Sequence, residues 1–360
     1  MKIVIFAGGV GTRLWPLSRK NTPKQFGKII GDKSTLQLAV LRVLPLVEPS
    51  DIYISSGKVY KDILQEQLPQ IPHTNFILEP VMRDVGAAVG LVTAIFEKIA
   101  PHEPFVILWS DHLVKNEELF RDVLRAVSAI LEKERDKIVF IGQRSRFASQ
   151  NLGWIELGGE VKKIGEMKVY GFKSWHYRPN LLLAEKFHKS PNHVWNPGYF
   201  GTTASFLLNQ YKKHAPLMYE GLVKIQKAWG TSQFQATLSA IYPKLEKVSF
   251  DNLILEKINP ESGYVVGVDM GWSDIGAWEA LKEALSSNDE ENITRGKVML
   301  EDAKDSLVFN YTNQLTVGID LSSILVINTK DVILVCPKTS VPKIKKLVEG
   351  LTGTPNEHLA

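Results

Sequence analysis

Three glycines and two cationic side chains are concentrated near the N-terminus. Gly8, Gly9 and Gly11 follow a short apolar run, and Arg13 and Lys24 come soon after. Glycine lets backbone N–H groups approach phosphate oxygens because no Cβ stands in the way. Arginine offers a planar fork of donors, and lysine offers a compact positive charge. The stretch therefore predicts phosphate binding, although a glycine-rich strand-to-helix turn with two solvated cations fits the same pattern.

Carboxylates follow three other hydrophobic or glycine-rich segments. Glu79 comes at the end of the apolar run 76–78, where it could accept hydrogen bonds from the N1–H and amino group of a guanine. Asp111 follows the run 105–109, and Asp274 lies among two glycines and two tryptophans. A carboxylate at the edge of a sheet suits Mg²⁺, which takes one or two carboxylates together with substrate phosphates. The alternatives are an N-capping Asp84 and a surface ion pair in the segment after Glu79, a helix-capping role for Asp111, and a packed, structural turn around Asp274.

Alternating strands and helices must position these residues. Apolar runs at 3–6, 51–55, 76–78, 105–109 and 138–141 read as buried strands, and helical patterns lie between them. This alternation predicts an α/β fold with a doubly wound, mostly parallel sheet. Ligands bind such sheets at the carboxyl ends of the strands, which is where the glycines and carboxylates fall.

The later part of the chain predicts a second half and a small module. Short strands and loops, with helices near 181–189, 204–214, 216–229 and 232–241, predict a substrate-binding half at 146–285 beside a nucleotide half at 1–145. The polar segment 286–292 reads as a linker. Short β-like segments then predict a β module with a terminal helix at 293–360.

Composition restricts the class of protein. The 360 residues carry a formal net charge of +4 with 44% hydrophobic residues, which suits an enzyme for anionic substrates and contains no basic tract of the kind that binds nucleic acid. The absence of a signal peptide and of a long apolar run predicts a cytoplasmic protein without a membrane segment. A single cysteine excludes internal disulfides and a cysteine-rich zinc site.

The segment from Lys2 to Phe26, KIVIFAGGVGTRLWPLSRKNTPKQF, resembles the G-G-x-G-T-R-L-x-P-L segment of sugar-nucleotide pyrophosphorylases. It is most similar to the mannose-1-phosphate guanylyltransferase branch of that family. The segments EPVMRD at 79–84, SDH at 110–112 and GWSDIGAW at 271–278 resemble further family motifs. The resemblance extends to a short C-terminal β-helical tail and implies a short form without the isomerase domain that some members carry.

The resemblance implies roles for individual residues. Arg13 and Lys24 would be catalytic, and Asp111 and Asp274 would hold Mg²⁺. We separately expect the Lys24 ammonium to be solvated when no ligand is bound. The implied nucleotide-binding residues are Ala7, Gly8, Gly9, Gly11, Thr12, Glu79, Pro80, Arg83 and Ser110. The implied sugar-phosphate-binding residues are Gly153, Glu156, Arg178, Asn196 and Asp251.

The sequence departs from the family pattern mainly on the sugar side. Val85 stands where the family has threonine, so a hydroxyl is missing there. Tyr177 replaces a glutamate, Arg178 replaces a lysine, and Pro197 replaces a serine. Trp109 replaces a proline just before Ser110 and Asp111. These departures leave the identity of the sugar open.

The resemblance implies an enzyme that joins GTP and mannose 1-phosphate to give GDP-mannose and pyrophosphate, and it suggests a homodimer. Two alternatives remain open. One is a guanylyltransferase, or a transferase using another NTP, for a different sugar 1-phosphate such as a heptose. The other is a regulatory protein that binds a GDP-sugar without catalysis, against which the presence of Arg13, Lys24, Asp111 and Asp274 argues.

Overall fold

The computed structural model describes residues 1–9, 11–20 and 22–360; the side chain of Thr12, one of the predicted nucleotide contacts, also lies outside the described part. The chain forms two compact units. The first unit contains Met1–Gly8, Ala39–Ser110 and Val114–Trp272, and the second contains Gly9–Leu38, Asp111–Leu113 and Ser273–Ala360. The division at 285 and 293 predicted from the sequence stays a prediction.

The strands of the described residues are, in chain order, β1 (Lys2–Phe6), β2 (Ile52–Gly57), β3 (Phe76–Glu79), β4 (Phe105–Trp109), β5 (His112–Val114), β6 (Ile138–Gln143), β7 (Gly153–Ile164), β8 (Met167–His176), β9 (His193–Thr202), β10 (Gly263–Val268), β11 (Trp272–Asp274), β12 (Ile293–Arg295), β13 (Val298–Glu301), β14 (Leu307–Asn310), β15 (Thr316–Ile319), β16 (Ile324–Asn328) and β17 (Ile333–Pro337).

The α-helices are α1 (Thr35–Val43), α2 (Lys61–Gln67), α3 (Asp84–Ile99), α4 (Glu117–Lys133), α5 (Leu181–Lys189), α6 (Ala204–His214), α7 (Pro216–Ala228), α8 (Phe234–Ile241), α9 (Phe250–Leu253), α10 (Trp278–Leu285) and α11 (Ile344–Glu349). None of these helices is long and apolar enough to cross a lipid bilayer.

A nine-stranded sheet in the order β3-β2-β1-β4-β9-β6-β10-β8-β7 forms the centre of the first unit. Strands β3, β2, β1 and β4 are mutually parallel, as the buried apolar runs predict. Strand β9 pairs antiparallel with both β4 and β6, and β7 pairs antiparallel with both β8 and β9. The predicted α/β fold is confirmed, with an antiparallel part built from the long strands β7 to β9.

The longer strands in the middle of the chain were predicted as short ones. Strand β7 has 12 residues, and β8 has 10. Their far ends carry charged residues on exposed faces, so the hydrophobic alternation that marks a strand fades there. Helix positions were better determined by sequence, because an amphipathic stripe repeats over several turns. Helices α5 and α6 have the bounds predicted for them, 181–189 and 204–214.

The second unit contains parallel strand pairs characteristic of a β-helix-like module. Strands β12, β14 and β16 pair in parallel, β17 joins β16 antiparallel, and β13 pairs in parallel with β15. Asn310 and Asn328 lie opposite each other, and the amide of Asn328 donates to Oδ1 of Asn310 over 3.2 Å. One apolar cluster joins this module to Trp15 and Trp278, both of which are buried. The segment around Trp15, which follows the glycine-rich loop, and the module therefore belong to one packed body.

Candidate active site

Lys24 and Asp111 form an ion pair in the second unit. Nζ of Lys24 lies 2.6 Å from Oδ2 of Asp111 and 3.4 Å from the carbonyl oxygen of Ile275. Burial lowers the pKa of Lys24, but the carboxylates of Asp111 and Asp274 outweigh burial and raise it above its ordinary value. The prediction of a solvated ammonium is therefore wrong. Lys24 is only 9% exposed. Its attraction to the carboxylates offsets the free-energy cost of removing its charge from water.

Asp111 and Asp274, which are far apart in the sequence, lie close together in the second unit. Asp111 directly precedes β5, Asp274 ends β11, and these short strands form a two-stranded sheet. One ligand atom each of Asp111, His112 and Asp274 lies within 4.8 Å of the others. Burial raises the pKa of Asp111, but Lys24 outweighs burial and holds it at about 2, so the carboxylate is ionised at neutral pH.

This donor set fits the predicted Mg²⁺. Oxygen ligands from one or two carboxylates are what Mg²⁺ takes from a protein when phosphates supply the remainder. The Lys24 ammonium, hydrogen-bonded to one of the two carboxylates, is a second sign that this position attracts a cation. Asp111 and Asp274 are the residues that would hold the metal, and Lys24 is the internal cation that a metal would compete with.

Arg13 lies beside the same carboxylates. It belongs to a short 3₁₀ helix, Thr12–Leu14, and its side chain is exposed. A Cβ added at Gly276 would lie 3.2 Å from Oδ1 of Asp274 and 3.3 Å from Nη2 of Arg13. Gly276 thus leaves space in which the guanidinium and the carboxylate approach each other. The structure brings together Arg13, Lys24 and the two aspartates that the resemblance selected.

The glycine-rich loop has the backbone geometry that glycine permits. Gly9 has φ of 93° and Gly11 has φ of 65°, in the left-handed region that other residues rarely adopt. A Cβ at Gly11 would also lie 2.6 Å from Cδ of Lys24, so Gly11 lets the lysine side chain pass. Gly8 is exposed, and a Cβ there would meet no heavy atom within 4 Å. Phosphate binding by this loop stays a prediction.

Two tryptophans hold the loop and the Asp274 turn in place. Nε1 of Trp278 donates to the carbonyl oxygen of Trp15 over 2.9 Å. Nε1 of Trp15 donates in turn to the carbonyl oxygen of Leu359 over 2.7 Å. Because both indoles are buried and hydrogen-bonded, they fix backbone positions as well as filling space. The packing role considered for the tryptophans near Asp274 is thus present beside the charged site.

Glu79, in the first unit, is a buried carboxylate with a tyrosine partner. The hydroxyl of Tyr242 donates to Oε2 of Glu79 over 2.5 Å. Burial raises the pKa of Glu79 to about 7, although the hydrogen bond from Tyr242 opposes the rise. The positive charge of Arg83 acts on the same tyrosine, and Nε of Arg83 is buried without a hydrogen-bond partner among the described residues. A polar ligand here would find both an acceptor and a donor.

Three other predicted nucleotide residues are placed at strand ends of the first unit. The backbone N–H of Ala7 donates to the carbonyl oxygen of Ser55 over 2.8 Å, and its carbonyl oxygen accepts from the Ser56 hydroxyl over 2.6 Å. Ser110 is buried, and its N–H donates to the carbonyl oxygen of Phe6. Pro80 is half-buried directly after β3. The N–H groups of Ala7 and Ser110 thus serve the protein's own backbone.

Arg178 and Asp251 meet on the sugar side of the first unit. Arg178 is exposed, has φ of 47°, and lies over the ring of Tyr177 with its Cζ 5.1 Å from the centroid. Burial raises the pKa of Asp251 to about 6, with the negative charges of Glu256 and Asp84 acting in the same direction and Arg178 opposing them. The predicted sugar-binding residue Asp251 and the segment around Asp84 are therefore neighbours.

Gly153 and Asn196 face each other in a second predicted sugar segment. They are paired residues of β7 and β9, and Oδ1 of Asn196 accepts from the N–H of Gly198 over 2.7 Å. Nε1 of Trp109 donates to the carbonyl oxygen of Gly198 over 3.0 Å. The tryptophan that replaces the family's proline thus fixes the part of β9 that carries Asn196, a role that the sequence pattern did not indicate.

Glu156 lies among groups that the resemblance does not explain. Its Oε1 lies 2.6 Å from Nζ of Lys173, and its Oε2 accepts from the Ser174 hydroxyl over 2.6 Å. One ligand atom each of Glu156, His176 and His193 lies within 4.8 Å of the others. Burial lowers the pKa of both His176 and His193, which favours their neutral forms.

Sequence reasoning missed four residues with evident partners: Trp109, His176, His193 and Tyr242. Trp109 had been noted as a departure from the family, but its bond to Gly198 needs the pairing of β4 with β9. Tyr242 follows α8 in an ordinary helical pattern and reaches Glu79 from 163 positions away, so its sequence context carries no signal. The two histidines become neighbours through the register of β7, β8 and β9.

Comparison with known proteins identifies the family of this chain. Residues 2–291 match the nucleotidyl transferase family. The chain is 30% identical to mannose-1-phosphate guanylyltransferase 2 of Escherichia coli O157:H7, over 97% of this chain and 73% of that protein. It is also 30% identical to mannose-1-phosphate guanylyltransferase of Escherichia coli strain K12, with the same coverage.

A solved structure, described as mannose-1-phosphate geranyltransferase from Thermus thermophilus, has the same fold. It superposes with a TM-score of 0.85 at 26% identity, covering 97% of this chain and 98% of that one.

The Lys24–Asp111 pair generates a stability prediction. Lys24→Met keeps most of the side-chain volume but leaves Asp111 and Asp274 without their internal cation. We expect the free energy of unfolding at pH 7 to fall by about 3 kcal/mol, as for removal of one partner of a buried ion pair. Urea denaturation without metal measures the change. Lys28→Met, at an exposed lysine nearby, is the matched control; equal unfolding free energies for the two variants would show that the pair does not stabilise the fold.

Proposed function

The chain belongs to the nucleotidyl transferase family, and from that premise we propose that it transfers a guanylyl group from GTP to mannose 1-phosphate. The products would be GDP-mannose and pyrophosphate, formed in the cytoplasm. The observation that carries the proposal is the convergence of Lys24, Asp111, Asp274 and Arg13 in the second unit. Two carboxylates and two cations in one place suit a metal-bound polyphosphate better than a neutral ligand.

In the proposed reaction a phosphate oxygen of the sugar 1-phosphate attacks the α-phosphorus of GTP. A new P–O bond forms as the bond to the β-phosphate breaks, and pyrophosphate leaves with that electron pair. No protein nucleophile is needed, because the attacking phosphate is already anionic at neutral pH. Catalysis then consists mainly of positioning and charge stabilisation. Mg²⁺ bound to Asp111 and Asp274 would supply charge stabilisation at the phosphates.

The chain's own residues take distinct parts. Arg13 and Lys24 neutralise charge on the transferring phosphoryl group and the leaving pyrophosphate, for which Lys24 must leave Asp111. The loop from Gly8 to Gly11 and Thr12 binds the triphosphate. The remaining proposed nucleotide contacts are Ala7, Glu79, Pro80, Arg83 and Ser110. On the sugar side the proposed contacts are Gly153, Glu156, Arg178, Asn196 and Asp251.

Glu79 is the residue from which we infer a preference for guanine over other bases. An ionised carboxylate can accept from both the N1–H and the amino group of guanine, whereas adenine offers no N1–H. The buried setting strengthens such hydrogen bonds because water does not compete for them. An assay of pyrophosphate release with GTP, ATP, UTP and dTTP tests this directly; the proposal fails if any of the others exceeds GTP in kcat/KM.

Asp111→Asn tests the metal site. Removing one of the two carboxylate charges should lower kcat by about 10²-fold, equivalent to about 3 kcal/mol of transition-state stabilisation. EDTA should abolish turnover by the wild-type enzyme. Because Lys24 also loses its partner, kcat is compared well below the melting temperature of the variant. Asp136→Asn, at an exposed aspartate, is the control; near-normal turnover of Asp111→Asn at saturating Mg²⁺ would refute the assignment.

Glu79 predicts a pH dependence. Its raised pKa of about 7 means that it gains a proton as the pH falls through neutrality, and the protonated form loses one acceptor for guanine. We expect kcat/KM for GTP to fall by about tenfold per pH unit below pH 7. Tyr242→Phe removes the hydrogen bond that lowers this pKa, so the midpoint should move to higher pH. A midpoint unchanged in both Tyr242→Phe and Glu79→Gln would contradict the role of Glu79.

The sugar is tested by comparing mannose 1-phosphate, glucose 1-phosphate and a heptose 1-phosphate, each with GTP. We expect mannose 1-phosphate to have the highest kcat/KM. Arg178→Ala should raise KM for the sugar phosphate and leave KM for GTP nearly unchanged, whereas Lys163→Ala, at another exposed cation, should change neither. A competitor better by more than about tenfold, or about 1.4 kcal/mol, would overturn the mannose assignment but not nucleotidyl transfer.

A further inference from the structure

One glutamate and two histidines lie on the same face of three neighbouring strands. Strand β7 pairs with both β8 and β9, and Glu156 of β7 lies opposite His193 of β9. Trp154, two residues before Glu156, lies opposite His176 of β8. Because residues two apart in a strand share a face, and paired residues share it too, all these side chains project to one side. The close approach of the Glu156, His176 and His193 ligand atoms, within 4.8 Å, follows from this register.

Neighbouring side chains hold both imidazole rings in place. Phe187 of α5 stacks on His193 with ring centroids 4.2 Å apart, and its centroid lies 4.7 Å from that of His176. The Ser190 hydroxyl lies 2.9 Å from Nδ1 of His193, and the Ser174 hydroxyl lies 2.9 Å from Nε2 of His176. Aromatic packing and hydroxyl contacts are the kind of support that orients metal-binding histidines in proteins.

We propose that Glu156, His176 and His193 form a site for a divalent transition-metal ion, with Zn²⁺ as its representative. Two imidazoles and one carboxylate are a ligand set that zinc uses in proteins, with a fourth position left for water or a ligand. Mg²⁺ prefers oxygen ligands, so this site should discriminate against the metal proposed for Asp111 and Asp274. With bonds of about 2.0–2.2 Å, the donor atoms must draw closer together around the ion.

Lys173 would compete with a metal ion for the carboxylate of Glu156. Its ammonium lies 2.6 Å from Oε1 of Glu156, but its side chain is 63% exposed. An ion pair with so exposed a partner contributes little to stability, so its loss costs little free energy when a metal binds. The ammonium can turn into water, and the hydroxyl of Ser174 can remain on Glu156.

A metal ion at this site should compete with the sugar 1-phosphate, a consequence that rests on the proposed function. Glu156 is also a proposed sugar-phosphate contact, and one carboxylate cannot serve a metal ion and that ligand with the same oxygens. Zn²⁺ should therefore inhibit competitively against the sugar 1-phosphate. Direct metal binding is measured without substrates, so its outcome is independent of whether the enzyme uses mannose 1-phosphate.

Isothermal titration of the full-length protein with ZnCl₂, in a large excess of MgCl₂, tests the site. We expect one zinc equivalent in the wild type, and an affinity at least about 100-fold weaker in His176→Ala and in His193→Ala. His188→Ala, at an exposed histidine beside Phe187, is the matched control and should keep the zinc equivalent. Asp111→Asn should keep it as well, since that residue belongs to the Mg²⁺ site.

The proposal is overturned if the wild type takes up no zinc equivalent, or if His193→Ala binds zinc as tightly as His188→Ala does. Circular dichroism spectra establish that each variant is folded. If an alanine variant is not folded, the near-isosteric Glu156→Gln decides in its place, because it removes a ligand charge and keeps the side-chain volume. Unchanged zinc affinity in folded Glu156→Gln would likewise overturn the assignment.

Discussion

The charge balance around Asp111 is the constraint on which the rest of the second unit depends. Two carboxylates that approach each other away from bulk water would repel, and one of them would take up a proton at neutral pH. The Lys24 ammonium, 2.6 Å from Asp111, prevents this and keeps that carboxylate ionised. The fold must therefore hold a glycine loop, a lysine and two short strands in register. Gly11 leaves the space through which the lysine passes, and the Trp15–Trp278 hydrogen bond fixes the loop.

The same balance makes the site ready for a bound metal and phosphates. Lys24 neutralises the carboxylates when no ligand is present, and its flexible side chain can exchange one anionic partner for another. A phosphate chain accompanied by Mg²⁺ brings both a cation for the aspartates and anions for the lysine. Ligand binding would thus exchange ion-pair partners without leaving a charge uncompensated. Glu79, in the first unit, differs from Asp111, because burial raises its pKa to about 7, close to neutral pH.

Sequence predicted the parts of this protein that depend on local pattern. The parallel strands β1 to β4, the amphipathic helix α4 and the short strands of the C-terminal module all follow from apolar runs and periodicity. The resemblance paired Asp111 with Asp274, and the structure places these two carboxylates within 4.8 Å of each other. Sequence did not predict that Lys24 is buried against Asp111, because solvation depends on which groups the fold places around it. Tyr242, His176 and His193 were missed since their partners come from distant strands and helices.

The most direct test of this account is the affinity of the nucleotide-free protein for Mg²⁺, measured by titration calorimetry in the wild type and in Lys24→Met. If Lys24 competes with the metal for Asp111 and Asp274, removal of its ammonium should tighten Mg²⁺ binding, by about tenfold or more for a competing charge worth about 1.4 kcal/mol. Lys28→Met should bind Mg²⁺ as the wild type does. Unchanged or weaker Mg²⁺ binding by Lys24→Met would contradict the central role given to this ion pair.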